Sequence, residues 1–198
     1  MVQPAQCASI DIREQASDNL HFIRSAMARA GASSVSGAGT MAMGLVALSA
    51  MSLAATATDP ADELLVWIGA APAALAAGTL GSWLKARRNG LLLFGDPGRR
   101  FLLCLIPTLL IGVVITLALW QTDEMPLLPG LWMMLYGAGV LSAGTYAVPP
   151  VMHMGVAFLL AGLVTLVAPP LWSNVLLGAA FGAVHLGFGH QVYRHHGG

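Results

Sequence analysis

Charge is what this sequence has least of. Lys, Arg, Asp and Glu make up 9% of its 198 residues, against about 25% in ordinary soluble domains. Hydrophobic residues make up 57% and the mean hydropathy is +0.74, which argues against a water-soluble fold. Cysteine is scarcer still, and Cys7 and Cys104 alone cannot build a disulfide framework. No cleavable signal peptide is expected, because Asp11, Glu14 and Asp18 precede the first apolar run. Glycine is plentiful, at 23 residues, and suits membrane helices that pack closely.

The few charges are segregated. Five of the nine basic residues, Lys85, Arg87, Arg88, Arg99 and Arg100, cluster between two long uncharged runs, a pattern that marks a cytoplasmic loop. Acidic groups flank the neighbouring runs at Asp59, Asp62, Glu63, Asp123 and Glu124. No Asp, Glu, Lys or Arg occurs in residues 125–193, a run of 69. As one helix that run would be about 100 Å long at 1.5 Å per residue, against a hydrocarbon core of about 30 Å. It must cross three times, breaking at Pro149-Pro150 and Pro169-Pro170. The fold expected is therefore all-α and polytopic: six transmembrane helices in three hairpins, near 37–57, 64–84, 101–121, 128–148, 151–168 and 171–191. Both termini fall in the cytoplasm of a bacterial inner membrane. Small-residue ladders at Gly69, Ala73, Ala77 and Gly81, and at Gly178 and Gly182, are expected to carry close helix contacts.

Residues 1–35 form a polar arm ahead of the transmembrane domain 36–193 and the short tail 194–198. Within the arm, Asp11-Ile-Arg-Glu14 resembles a capping box, and Ile12, Ala16, Leu20, Ile23, Met27 and Ala30 recur at helical spacing. An amphipathic helix over 12–30 is expected, packed on its own bundle, on the inner leaflet or on a partner.

No charged residue lies inside any expected span, so the buried charges typical of ion-coupled transporters and proton pumps are missing. Histidine is left. Folding the chain at Pro169-Pro170 puts His153 level with residue 186, beside His185; folding at Pro149-Pro150 puts Tyr146 level with His153. Cys104 lies at similar depth and His190 nearer the cytoplasm. Cys104, His153, His185 and His190 are thus candidate ligands for a transition metal, and two facing histidines could ligate haem. His185 and His190 are five residues apart, roughly 140° around a helix. Interhelical hydrogen bonding by these side chains is the plainer alternative and the favoured one. Ser142 with His185 would mirror the fourth-span Ser and sixth-span His of rhomboid proteases, but Val140-Leu-Ser142-Ala143 lacks that family's Gly-x-Ser-Gly.

The stretches Leu128-Pro-Gly-Leu-Trp-Met-Met-Leu-Tyr-Gly-Ala-Gly139 and Gly178-Ala-Ala-Phe-Gly-Ala-Val-His-Leu-Gly-Phe-Gly189, with Leu20–Met27, resemble an uncharacterised family of bacterial six-span integral membrane proteins. The resemblance implies the same six-span fold and brings no activity with it. Three function classes stay open. The leading one is a non-enzymatic interaction, sensory or accessory subunit that uses its cytoplasmic face. The others are a His-ligated metal or haem protein, and a carrier or binding cavity for a neutral or lipophilic molecule. The partners expected are the lipid bilayer, a protein at the cytoplasmic face and a second copy of the chain, not nucleic acid.

Overall fold

A computed structural model describes residues 15–22, 35–90, 96–120 and 122–196. Six helical segments are long and apolar enough to cross a membrane: Gly37–Ala54, Pro60–Arg88, Gly98–Leu119, Met125–Tyr146, Pro149–Val167 and Pro170–His195. The protein is a multi-pass all-α membrane protein, and no strand occurs among the described residues. Of the expected amphipathic helix, residues 15–22 are helical and exposed. Its remainder, 12–14 and 23–30, lies outside the described residues.

Local chemistry sets the ends of the spans. The Ser36 hydroxyl accepts the Gly39 N–H at 3.2 Å and caps the first span. Asp59 caps the second by accepting the Ala61 N–H at 2.8 Å, with Pro60 at the first helical position. The second helix ends beside Gly90, whose φ of +67° suits a residue without a Cβ. The basic stretch expected as a loop is mostly helix. Lys85, Arg87 and Arg88 occupy the last turn of the second span, and Arg99 and Arg100 the first turns of the helix Asp96–Leu119. Cations stabilise a helix C-terminus, and long side chains let the helix run past the apolar layer. Lys85 is buried and its ammonium donates to the Val35 carbonyl at 3.2 Å.

Two of the seams that hold the bundle together are built from glycines seven residues apart. In the antiparallel pair of fourth and fifth spans, Gly130 faces Gly162 and Gly137 faces Gly155; a Cβ on Gly137 would lie 2.8 Å from the Gly155 carbonyl oxygen. In the antiparallel pair of first and sixth spans, Gly37 faces Gly189 and Gly44 faces Gly182; a Cβ on Gly44 would lie 2.8 Å from the Gly182 oxygen. A seven-residue repeat keeps one face toward the partner along a shallow left-handed crossing. Small residues there let backbones touch.

These seams revise the expected ladders. Gly178 and Gly182 do meet the first span, and Gly81 meets it at Gly39, whereas Gly69 faces open space. The sixth span also packs mainly along the first rather than folding back closely on the fifth. The first and second spans pack together, as do the third and fourth. The second and third spans, by contrast, share no packed face among the described residues.

Candidate functional site

The chemistry of the bundle concentrates where the fourth, fifth and sixth spans meet. Phe158 is fully buried there, with Tyr136 edge-on at 4.8 Å between ring centroids, Phe181 at 4.9 Å and His185 at 5.1 Å. Inside this aromatic nest the Tyr136 hydroxyl and His185 Nε2 are 2.7 Å apart, and His185 Nδ1 is 2.8 Å from the Phe181 carbonyl oxygen.

The direction of both bonds follows from their partners. A carbonyl only accepts, so Nδ1 carries the proton. No carboxylate is buried among the described residues to offset an imidazolium, so the ring is the neutral Nδ1–H tautomer and Nε2 is an acceptor. The Tyr136 O–H therefore donates to Nε2. The backbone makes room for this. Residues Gly178–Val184 form a π-helical stretch, and such bulges are frequent at functional sites. The His185 N–H turns to the Gly182 carbonyl, and the Phe181 carbonyl receives the imidazole.

Around this dyad lies the groove left by the parted second and third spans. A cavity of about 630 Å³ extends toward the acidic end, and a second of about 260 Å³ toward the basic end. Both are lined by Met43, Leu75, Leu109, Tyr136 and His185, so the dyad sits where they join. The larger one reaches Trp67, Trp120 and Trp132; the smaller reaches Ser82, Gly98 and Phe101. Exposed side chains, Leu65, Ile68, Val113 and Leu117, form the rim of the larger cavity. On helices this apolar such a rim faces lipid, so the cavity opens sideways.

Two tryptophans tie helices together. The Trp67 indole donates to Asn174 Oδ1 at 3.1 Å, and the Asn174 amide donates to the Met51 carbonyl at 3.1 Å, joining the second, sixth and first spans. The Trp132 indole donates to Thr116 Oγ1 at 2.8 Å, joining the fourth to the third. Trp172 is exposed.

The sequence-derived ligand candidates are dispersed. His185 is buried and points into the bundle, with both ring nitrogens engaged. His153 and His190 are exposed, and Cys104 is half-buried. Among the described residues no three His, Cys, Asp or Glu lie together in a way that could hold a metal ion. A metal or haem iron at His185 would have to break one of its two hydrogen bonds. Ser142 is exposed, and the buried partner of His185 is Tyr136, not Ser142. Tyr146, expected level with His153, is exposed and lies under the Arg100 guanidinium at 5.9 Å.

Tyr136 and Asn174 are the residues that sequence reasoning missed. Their signal was a hydrogen-bonding side chain in or beside an uncharged run, where lipid offers no partner and the protein must. No protein-family model, curated protein or solved structure matches this chain.

Proposed function

We propose that this is a binding protein, or the binding subunit of a carrier, for a neutral lipophilic small molecule that enters sideways from the bilayer. The observation that carries this reading is the cavity of about 630 Å³ between the second and third spans, with almost wholly apolar walls and a single buried polar dyad. Its volume falls in the usual range of ligand sites, about 300–1,000 Å³, which are mostly apolar with few polar groups. The uncharged interior suits a neutral guest, because a charged one would be desolvated without a counter-charge.

The reading includes a bacterial inner membrane with residues 1–35 and 194–198 in the cytoplasm, supported by the gathering of all nine basic residues on one side of the chain's topology. Reporter fusions at residues 58 and 122 should report an external location; a cytoplasmic one would reverse the orientation. A second reading, an interaction subunit, is favoured by the helical stretch 15–22 with Leu20 exposed. Leu20→Asp should then abolish co-purification of any cytoplasmic partner.

Tryptophan quenching tests the cavity. Trp67, Trp120 and Trp132 line it, so a brominated lipophilic molecule bound there should quench their emission in nanodiscs of unbrominated lipid. Gly112→Phe should suppress that quenching. Gly112 lines the cavity, and a Cβ there meets only the Leu135 side chain, at 3.8 Å. Gly69→Phe, on a surface with nothing within 4 Å, should leave quenching unchanged. Equal quenching in all three proteins would overturn the proposal.

A further inference from the structure

The walls of the larger cavity spend their hydrogen-bond donors on themselves. The Thr108 hydroxyl donates to the Leu105 carbonyl at 2.8 Å, and the Thr116 hydroxyl to the Gly112 carbonyl at 2.7 Å. The indoles of Trp67 and Trp132 donate to Asn174 and Thr116. Tyr136 gives its proton to His185 Nε2, and His185 gives its own to the Phe181 carbonyl. Among the cavity-lining residues the Trp120 indole alone is not engaged in this way, and it lies at the acidic-end rim.

What the interior retains is capacity to accept. A phenolic oxygen that has donated its proton keeps lone pairs, and Tyr136 lines both cavities. Pro72 adds to this. Proline inside a helix removes the N–H that the carbonyl four residues earlier would accept; here that carbonyl belongs to Ile68, and Pro72 and Ile68 both line the cavity.

We infer that the ligand is a lipophilic hydrogen-bond donor, an alcohol or phenol with a long or bulky apolar body, whose O–H is received by the Tyr136 oxygen. This rests on the cavity being the binding site. His185 acts as a positioning residue: its tautomer fixes which way the Tyr136 proton points and so which head groups the site accepts. A carbonyl or ether of the same shape finds no unengaged donor at the dyad, and its oxygen would be buried unpaired there.

Three probes separate the outcomes: a terminally brominated undecanol, its methyl ether and the corresponding brominated alkane, each titrated by tryptophan quenching in nanodiscs. The alcohol should bind roughly fivefold more tightly than the ether, the effect of one net neutral hydrogen bond. Tyr136→Phe bares His185 Nε2 as an acceptor in the phenol's place, so the alcohol should still be preferred while all three probes still bind. His185→Leu should free the Tyr136 proton for a guest, so that the ether gains and the preference narrows. In the double variant Tyr136→Phe/His185→Leu both polar partners are removed together, which keeps the fold testable if a single change destabilises it. The preference should be lost only there. Equal affinity of alcohol and ether in the unaltered protein, with Gly112→Phe still blocking both, would overturn the donor rule and leave the cavity standing. Quenching by all three that Gly112→Phe does not relieve would mean partition into bilayer lipid only, and would overturn both.

Discussion

The seam between the fourth and fifth spans and the gap between the second and third are made of equally apolar helices, yet one is closed and the other open. Half of the fourth span's apolar window is buried inside the protein, 50%, against 11% for the second span and 6% for the third. Hydrophobicity does not separate them, since the third span is the most hydropathic of the six. Lipid tails are as apolar as leucine, so burial of apolar surface gives helices in a bilayer little reason to associate. Contact distance is what differs. Where glycines recur every seven residues the backbones meet, and dispersion and Cα–H···O contacts accumulate along the seam. In the third span Gly112 meets only one leucine, and in the second Gly69 meets nothing. Ala70, Ala74, Thr108, Gly112 and Thr116 line the gap, yet Gly112 meets no partner backbone across it, and the space is left for a guest.

The comparison can be broken most directly at the seam. Gly137→Leu drives a side chain into the Gly155 carbonyl, 2.8 Å from the new Cβ. Such overpacking should lower unfolding stability in detergent by about 3 kcal/mol. A loss below about 1 kcal/mol would mean that the glycine seam does not hold the bundle. Next in size is the dyad beside the gap. Tyr136→Phe keeps the ring contacts with Phe158 and Phe181 but leaves His185 Nε2 buried without a donor, at a cost of about 1.5 kcal/mol. Adding His185→Leu should recover part of that loss, and the same denaturation experiment reads it.

A smaller effect is expected at the acidic end. Asn174→Leu removes two hydrogen bonds that tie the first, second and sixth spans. Membrane hydrogen bonds average roughly 0.6 kcal/mol each, so a loss of about 1 kcal/mol in unfolding free energy is the expected reading. The smallest effects belong to the gap. Gly69→Leu and Gly112→Phe should each change stability by less than about 0.5 kcal/mol, while Gly112→Phe alone blocks probe binding. A glycine of the gap as sensitive as Gly137 would erase the distinction between the two regions.

Much of the fold was legible in the sequence. Nine bases and nine acids in a chain this apolar determine six crossings, because moving a charge across a bilayer is costly and a helix can rise only 1.5 Å per residue. The proline pairs at 149–150 and 169–170 mark where the uncharged run breaks, and the fifth span begins at Pro149. Sequence also singled out His185, as a candidate ligand level with His153. Its partner was beyond reach. Folding consecutive spans into hairpins relates only neighbours in the chain, and it set His185 beside His153. Tyr136 comes from the fourth span, which runs parallel to the sixth, and parallel spans have no turn between them from which to count. The tertiary structure alone decided that the sixth span lies along the first, that the second and third part, and that Tyr136 gives its proton to His185. Each depends on which face of a helix meets which neighbour, and in a bilayer that choice is made by packing distance and hydrogen bonding rather than by hydropathy.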